Sequence, residues 1–387
     1  MSKKVKVAVI GLGFGADFLP IYLNHPNAEL YAICQRSKEK LEAAGKKYGI
    51  DRLYTDYKDI LKIKEVDAIH VIAPVDTHAS IVMDYLNAEK HVSCTVPMGI
   101  TVEECIEIVK LRRKVGKIYM MMETSAYTRE FLYVKNLKDT GKLGKIQFLR
   151  GSHMQDMEEW GPPWPGWPPL NYATHAVSPL AILADAPVEW VFGLGAGRIR
   201  ENYIKNYNCP YAVESMLMKF KGSDIGGEVT RSLYDTVRQY IESFDVYGQK
   251  LAFEWNRLSD EEPILYLGKE FAKRVKIPDT DKLLSKEIAR FTKSEQVMDE
   301  EEKQHLSFIQ GSGHGGSHPH MVHEFIMAIV QNRDSAIDAE KAANWICAGL
   351  LGHKSATDGG EKIYLPDFWN LSNRIKRCNR FYSIKID

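Results

Sequence analysis

The chain has 387 residues, and its 51 Lys and Arg balance 51 Asp and Glu, so the formal net charge is zero. Apolar residues make up 44% and charged residues 26%, an ordinary globular composition that excludes a disordered chain, a collagen and a disulfide-stapled miniprotein. The neutral balance argues against a generic nucleic-acid or anionic-membrane binder, since both need a basic excess, and leaves open only a small local basic patch. This length predicts two or three domains.

Cys34, Cys94, Cys105, Cys209, Cys347 and Cys378 are dispersed without a CxxC pair, which predicts free thiols in a reducing compartment. The start, Met1-Ser2-Lys3-Lys4, is basic, but the apolar run Val5 to Leu12 is too short for a signal peptide and ends in glycines. No stretch approaches the ~20 apolar residues of a membrane span. A soluble cytoplasmic protein is expected.

Val5–Ile10 is short, mostly apolar and β-branched, as a buried parallel strand would be. It runs into Gly11-Leu12-Gly13-Phe14-Gly15-Ala16, a G-x-G-x-x-[G/A] spacing. The first glycine permits a tight turn, the second admits a pyrophosphate against backbone, and the small third residue lets helix and strand pack closely. Free N–H groups at the helix start favour phosphate, so Gly11, Gly13, Phe14, Gly15 and Ala16 are candidate cofactor residues.

The predicted elements then alternate. They are strand Leu30–Cys34, helix Lys38–Tyr48, strand Ala68–Ala73, helix Thr77–Ala88, strand His91–Cys94, helix Val102–Val115 and strand Ile118–Met122. Thr101 and Glu104 form a capping-box pattern ahead of the helix at 102. Such alternation means βαβ units and a doubly wound parallel sheet, with sites at the strand carboxyl ends. Those ends are Gly11, Gln35-Arg36, Ala73-Pro74, Thr95-Val96-Pro97 and Met122-Glu123. An acidic residue at the second strand's tip would bind the NAD ribose and a basic one the NADP phosphate. Gln35 can bond a hydroxyl and Arg36 can stack on adenine, so the tip leaves both cofactors open.

The glycine turn, Val66-Asp67-Ala68-Ile69, Ala73-Pro74-Val75-Asp76-Thr77-His78 and Glu89-Lys90-His91-Val92-Ser93-Cys94 resemble the glucose–fructose oxidoreductase/inositol dehydrogenase/MocA family. The resemblance implies an α/β fold: a Rossmann domain (1–124), then an α/β domain (125–387) with a large open, mostly antiparallel sheet that carries substrate and mediates homo-oligomers, dimeric or tetrameric. It implies NAD as cofactor and adds Ala73, Pro74, His78, Thr95 and Pro97 to the residues that hold it. The family's Glu-Lys-Pro triplet, whose lysine contacts cofactor and substrate, is Thr95-Val96-Pro97 here. Its Asp-x-x-x-His pair is altered to Asn171-Tyr172-Ala173-Thr174-His175.

These departures resemble one subgroup, the NAD-dependent α-N-acetylgalactosaminidases and related redox glycosidases. Further local matches are Met121-Met122-Glu123 with Tyr127, Gly313-His314-Gly315-Gly316 and Leu365-Pro366-Asp367-Phe368. His153 stands where that subgroup has a tyrosine, and Ser317-His318 where it has Met-Asp, so the substrate is expected to differ from N-acetylgalactosaminides. The resemblance implies catalytic roles at His175, Tyr172, Glu123 and His153, and substrate contacts at Tyr127, Asn171 and His314.

Beyond Ala126 the βαβ rhythm stops. Gln147–Ser152, Val188–Leu194, Ser215–Lys221, Gly227–Leu233 and Ser243–Tyr247 read as strands, several alternating as in a sheet with one covered face. Residues 256–310 are charge-rich and read as a solvated helical excursion, including Asp299-Glu300-Glu301-Glu302, while 320–331 and 338–356 are helical by period. The segment from Glu158 to Pro169 holds three of the seven tryptophans between prolines that bar helix and strand. Trp160, Trp164 and Trp167 would either line a sugar pocket or plug an interface.

His175 follows that loop and suits proton transfer from a carbinol, its pKa lying near working pH. Tyr172 could share its helical face, and Glu123 sits at a strand end. His314, His318, His320 and His323 fall within ten residues, as a substrate loop, a metal-binding cluster or plain surface; no metal is assigned. Three functional readings follow: a redox-neutral glycosidase, a sugar dehydrogenase releasing a ketosugar, and a non-catalytic dinucleotide-binding regulator.

Overall fold

The computed structural model describes residues 4–258, 260–293 and 314–371. Strands β1 (Val5–Ile10), β2 (Ala28–Cys34), β3 (Leu53–Tyr54), β4 (Ala68–Val71), β5 (His91–Thr95) and β6 (Tyr119–Met122) form a parallel sheet in the order β3-β2-β1-β4-β5-β6. The order reverses at β1, next to β4, which puts a crevice beyond their carboxyl ends. The helices Lys38–Tyr48 and Val102–Val115 span the predicted residues; left-handed Gly49 and Gly116 close them, and Thr101 and Glu104 form the expected capping box. β4 stops at Val71 rather than Ala73, ahead of Pro74, which has no N–H for a ladder.

The second sheet comprises β7 (Ile146–Met154), β8 (Val188–Ala196), β9 (Val213–Phe220), β10 (Gly226–Ser232), β11 (Ile241–Gly248), β12 (Ala252–Glu254), β13 (Ile264–Tyr266), β14 (Ala272–Arg274) and β15 (Ile363–Tyr364). Its order is β14-β13-β12-β11-β7-β10-β9-β8-β15, antiparallel except for β7 beside β10. Here the sequence expectation for 256–310 is corrected. Short strands β13 and β14 extend the sheet edge through that region, because the alternation of Ile264-Leu265-Tyr266 pairs with β12. The acidic run at 299–302 lies outside the described residues.

Helices Thr174–Ala184 and Ala339–Thr357 cover one face of this sheet. Their approach is close enough that a Cβ on Gly151 of β7 would lie 2.4 Å from the Ala176 carbonyl oxygen. Helix Ala339–Thr357 packs on helix Val102–Val115 as well as on β8, so one apolar core runs through both sheets. Helix His318–Val330 comes from the second half of the chain, yet buries Met321, Val322, Phe325 and Ile326 with Phe18, Leu19 and Tyr22 beside β1. The edge strand β6 is covered by residues 335–337: the Met121 amide donates to the Ile337 carbonyl (3.1 Å), and the Ser335 hydroxyl donates to the Tyr119 carbonyl (2.6 Å).

Candidate active site

Three adjacent strands build the floor of a cleft. Their register sets Arg231 of β10, His153 of β7 and Glu242 of β11 in one row. On β10 and β11 these residues continue the inward parity of Val229 and of Phe244 and Val246, so charged groups stand at the end of an apolar face. Helix Thr174–Ala184 crosses β7 at Gly151, which brings the His175 ring within 5.2 Å of the His153 ring, centroid to centroid.

Glu123 lies where β6 ends, fully buried. Its Oε1 accepts from the Ser125 amide (3.0 Å), the Ser125 hydroxyl (2.9 Å) and His175 Nδ1 (2.6 Å). A carboxylate at that distance fixes the proton on Nδ1 and leaves Nε2, 3.4 Å from the Tyr172 hydroxyl, as the working nitrogen. Burial would lower the His175 pKa, but the charges of Glu123 and Glu242 outweigh it and hold it up at about 9. Burial, reinforced by the Arg231 and His175 charges, keeps His153 far below its ordinary value and therefore neutral. Glu242 is held below the usual carboxylate range: burial opposes this, but His175, His314 and the Tyr240 hydroxyl prevail.

The cleft has a volume of about 230 Å³ and lies between the two sheets. Phe14, Ala73, His78, Thr95, Val96 and Met122 line it from the first sheet, and His153, Gln155, Trp160, Trp164, Tyr172, His175, Tyr240, Glu242 and His314 from the second half. Gly11 has φ +94°, and a Cβ there would lie 2.2 Å from the Ile72 carbonyl oxygen, so only glycine serves. A Cβ on Gly13 would meet nothing within 4 Å, which leaves its backbone open to a ligand. Gly15 packs on Ile72, and Ala16 sits in a 3-10 turn, Phe14–Phe18, that precedes the helix Leu19–Asn24. Gln35 is half-buried and Arg36 exposed at the tip of β2. His78 lies between the Pro97 and Ala73 carbonyl oxygens, 2.7 Å from each, and so ties two strand-end turns together.

Several expected site residues do not reach the cleft wall. Trp167 is buried, packed among Leu233, Tyr234 and Ile199, because the proline-stiffened loop folds back on β10 and turns only Trp160 and Trp164 inward. Tyr127 packs against both apolar cores, and Asn171 lies in the 3-10 turn before the helix and does not line the cleft. Pro74 and Pro97 shape the turns but do not line the cavity, and Glu123 stands behind His175. The clustered histidines form no single ligand set: His318 packs near Phe18 and the His314 ring (5.4 Å), while His320 meets Thr280 (2.9 Å) and His323 meets His25 (3.1 Å). Gly313 lies outside the described residues.

Among the described residues, His153/His175/Glu242 and Cys209/Glu214/His353 each bring three potential metal-ligand atoms within 4.8 Å of one another. In the first group His175 Nδ1 is bonded to Glu123, and in the second Glu214 is bonded to His353 (2.7 Å) and the Leu170 amide (2.8 Å). Sequence reasoning missed Arg231, Glu242, Tyr240 and Gln155. For Arg231 and Glu242 the available signal was a charged residue on the inward parity of a strand.

A switch-point crevice over a parallel sheet, faced by an open antiparallel sheet, defines a two-domain Rossmann-type α/β protein of the dinucleotide-binding class. Residues 5–123 match the oxidoreductase family GFO_IDH_MocA, described by its NAD-binding Rossmann fold. Inositol 2-dehydrogenase of Salmonella typhimurium is 29% identical over 153 residues, covering 38% of this chain and 46% of that protein, so the chain spans about half the length of that curated relative. A glycosyl hydrolase family 109 protein of Stenotrophomonas maltophilia is 24% identical over 432 residues, covering 95% of this chain and 89% of that protein. The structure of scyllo-inositol dehydrogenase from Lactobacillus casei with NAD(H) and scyllo-inositol shares the fold, with TM-score 0.69, 16% identity and 94% and 99% coverage.

Proposed function

We propose that this protein is an NAD-dependent enzyme acting on a ring carbinol of a sugar or glycoside, and that it cleaves glycosides without net redox change. The observation that carries this reading is the buried Glu123–His175 pair, 2.6 Å apart, with Nε2 turned toward Tyr172 in the cleft. The open backbone at Gly13 and the tight turn at Gly11 fit a pyrophosphate, and Gln35 fits a ribose hydroxyl, which favours NAD over NADP. NAD held there would supply an acceptor for the carbinol hydride and a donor to return it.

His175 Nε2 takes the hydroxyl proton, while Glu123 stabilises the imidazolium and holds the ring in place. A carbonyl at ring position 3 acidifies the C–H at position 2. Loss of that proton to a base expels the glycosidic oxygen, water adds across the resulting C1–C2 double bond, and reduction at position 3 completes a net hydrolysis. Tyr172 stands beside His175 Nε2, where it can donate to a sugar oxygen. Trp160 and Trp164 offer flat apolar faces to the ring.

Val96 favours the redox-neutral outcome, since it lacks the cation that the family's lysine supplies at the reacting carbinol. The relationship to a glycosyl hydrolase family 109 protein over 95% of the chain points the same way. Similarity over 153 residues to inositol 2-dehydrogenase supports the second reading, a sugar dehydrogenase. The paired His175 in a cleft counts against a non-catalytic regulator. A homo-oligomer is supported by Phe192 and Leu194 of β8 and Leu217 of β9, exposed on the sheet face away from the helices. Turnover of a glycoside panel in D₂O should place one deuterium at C2 of the released sugar without accumulating reduced cofactor. Cofactor reduction matched one-for-one by ketosugar would establish the dehydrogenase instead.

A further inference from the structure

Arg231 has no part in the chemistry above, yet it is the largest fully buried side chain among the described residues. It makes no ion pair with a carboxylate among the described residues. Its Nε donates to the Tyr172 carbonyl (3.0 Å), its Nη1 to the His153 (3.1 Å) and Ser232 (2.7 Å) carbonyls, and its Nη2 to Gln155 Oε1 (3.0 Å). The guanidinium also lies 5.4 Å from the centre of the Tyr172 ring. Tyr172, His153 and Gln155 all line the cleft, and all three are bonded to this one group. Burying a cation is costly unless it is fully hydrogen-bonded, so the arrangement demands a guanidinium fork; an ammonium could not span these acceptors.

The fork also decides the orientation of Gln155. A guanidinium only donates, so the amide atom facing it must be the oxygen. The Gln155 NH₂ is thereby left on the other limb of the amide, in a residue that lines the cleft. We propose that Gln155 is a specificity-determining residue whose amide NH₂ donates to a hydroxyl or acyl oxygen of the sugar, and that Arg231 is the positioning residue that fixes its polarity. This inference rests on the reading of the cleft as a sugar site.

Beside Gln155 on the same strand run stands His153, 1% exposed, with neither ring nitrogen hydrogen-bonded. Buried polar groups in native proteins are normally satisfied. An unpartnered imidazole next to a donor of fixed polarity marks this wall as one that a polar ligand completes.

The test is equilibrium binding by calorimetry with saturating NAD. The probes are methyl glycosides of glucose, galactose and N-acetylgalactosamine, together with their monodeoxy analogues. Wild type should penalise the analogue that lacks one particular oxygen by about 10-fold, the scale of one neutral hydrogen bond. Gln155→Leu should bind the parent sugar about 10-fold more weakly and lose the discrimination against that analogue alone, with NAD affinity unchanged. Gln155→Glu keeps the shape and offers Arg231 a carboxylate, but it removes the donor and should behave as Gln155→Leu does. Arg231→Lys should blunt the same discrimination; a merely structural role would lower thermal stability and leave it intact. If folded, NAD-binding Gln155→Leu discriminates across the series as wild type does, the proposal is overturned. If wild type binds none of the sugars, the sugar-site reading falls, and this proposal with it.

Discussion

Replacing Glu123 by Gln removes the charge that governs His175 while keeping an oxygen able to accept from Nδ1. The imidazole is 4% exposed, and its pKa of about 9 exists because Glu123 and Glu242 overcome the burial that opposes it. Without Glu123, burial and the Arg231 charge should pull it down from about 9, opposed only by the remaining charge of Glu242. The wild-type rate should therefore rise with pH toward about 9, since His175 must be neutral to take a proton. In Glu123→Gln that limb should move to lower pH, and the plateau rate should fall by ~10²-fold as the base weakens. Stability follows the same linkage. The folded pKa lies above the unfolded one, so the contribution is fully present below pH 6.5 and is lost as pH rises through about 9. Denaturant titrations of wild type should show that loss between these values, and Glu123→Gln should flatten it. An alkaline limb that stays near pH 9 in the folded variant would refute the assignment of Glu123 as the controlling charge.

Gly13→Asp should fold normally, because a Cβ there meets nothing, yet lose dinucleotide affinity by at least about 10-fold in fluorescence titration, through bulk and negative charge at the pyrophosphate. Trp164→Ala should weaken sugar binding without changing NAD affinity, since the ring lines the cleft. Trp167→Ala should instead lower stability by about 3 kcal/mol or more in denaturant unfolding, as a buried aromatic leaves a cavity.

The first domain was legible because its information is local. Buried parallel strands are continuous apolar runs, helices carry capping and glycine signals, and Gly11 must adopt a backbone that only glycine tolerates; each feature lies within a few residues of its cause. Glu123, His175 and Tyr172 could be named from motif resemblance, but nothing in their spacing says that residues 52 apart share a proton. Their pairing exists because Gly151 lets helix Thr174–Ala184 settle on β7 while the core helix Ala339–Thr357 joins the two sheets. The failures follow from the same cause. Three tryptophans in one stiff loop look equivalent in sequence, but its fold turns two toward the cleft and buries the third. Four histidines within ten residues suggest a ligand set, yet the turn at His314–Gly316 and the helix after it keep only His314 and His318 together and send His320 and His323 to other neighbours. His153 lies on a strand distant in sequence from those of Arg231 and Glu242, and only the register of β10, β7 and β11 makes the three one row. The sequence by itself determined which segments become strands and helices and where backbone must stay bare, because those depend on local sterics and period. Which charges meet, and hence the proton affinity of His175 and the polarity of Gln155, was decided by tertiary packing, since electrostatic coupling depends on distance and burial.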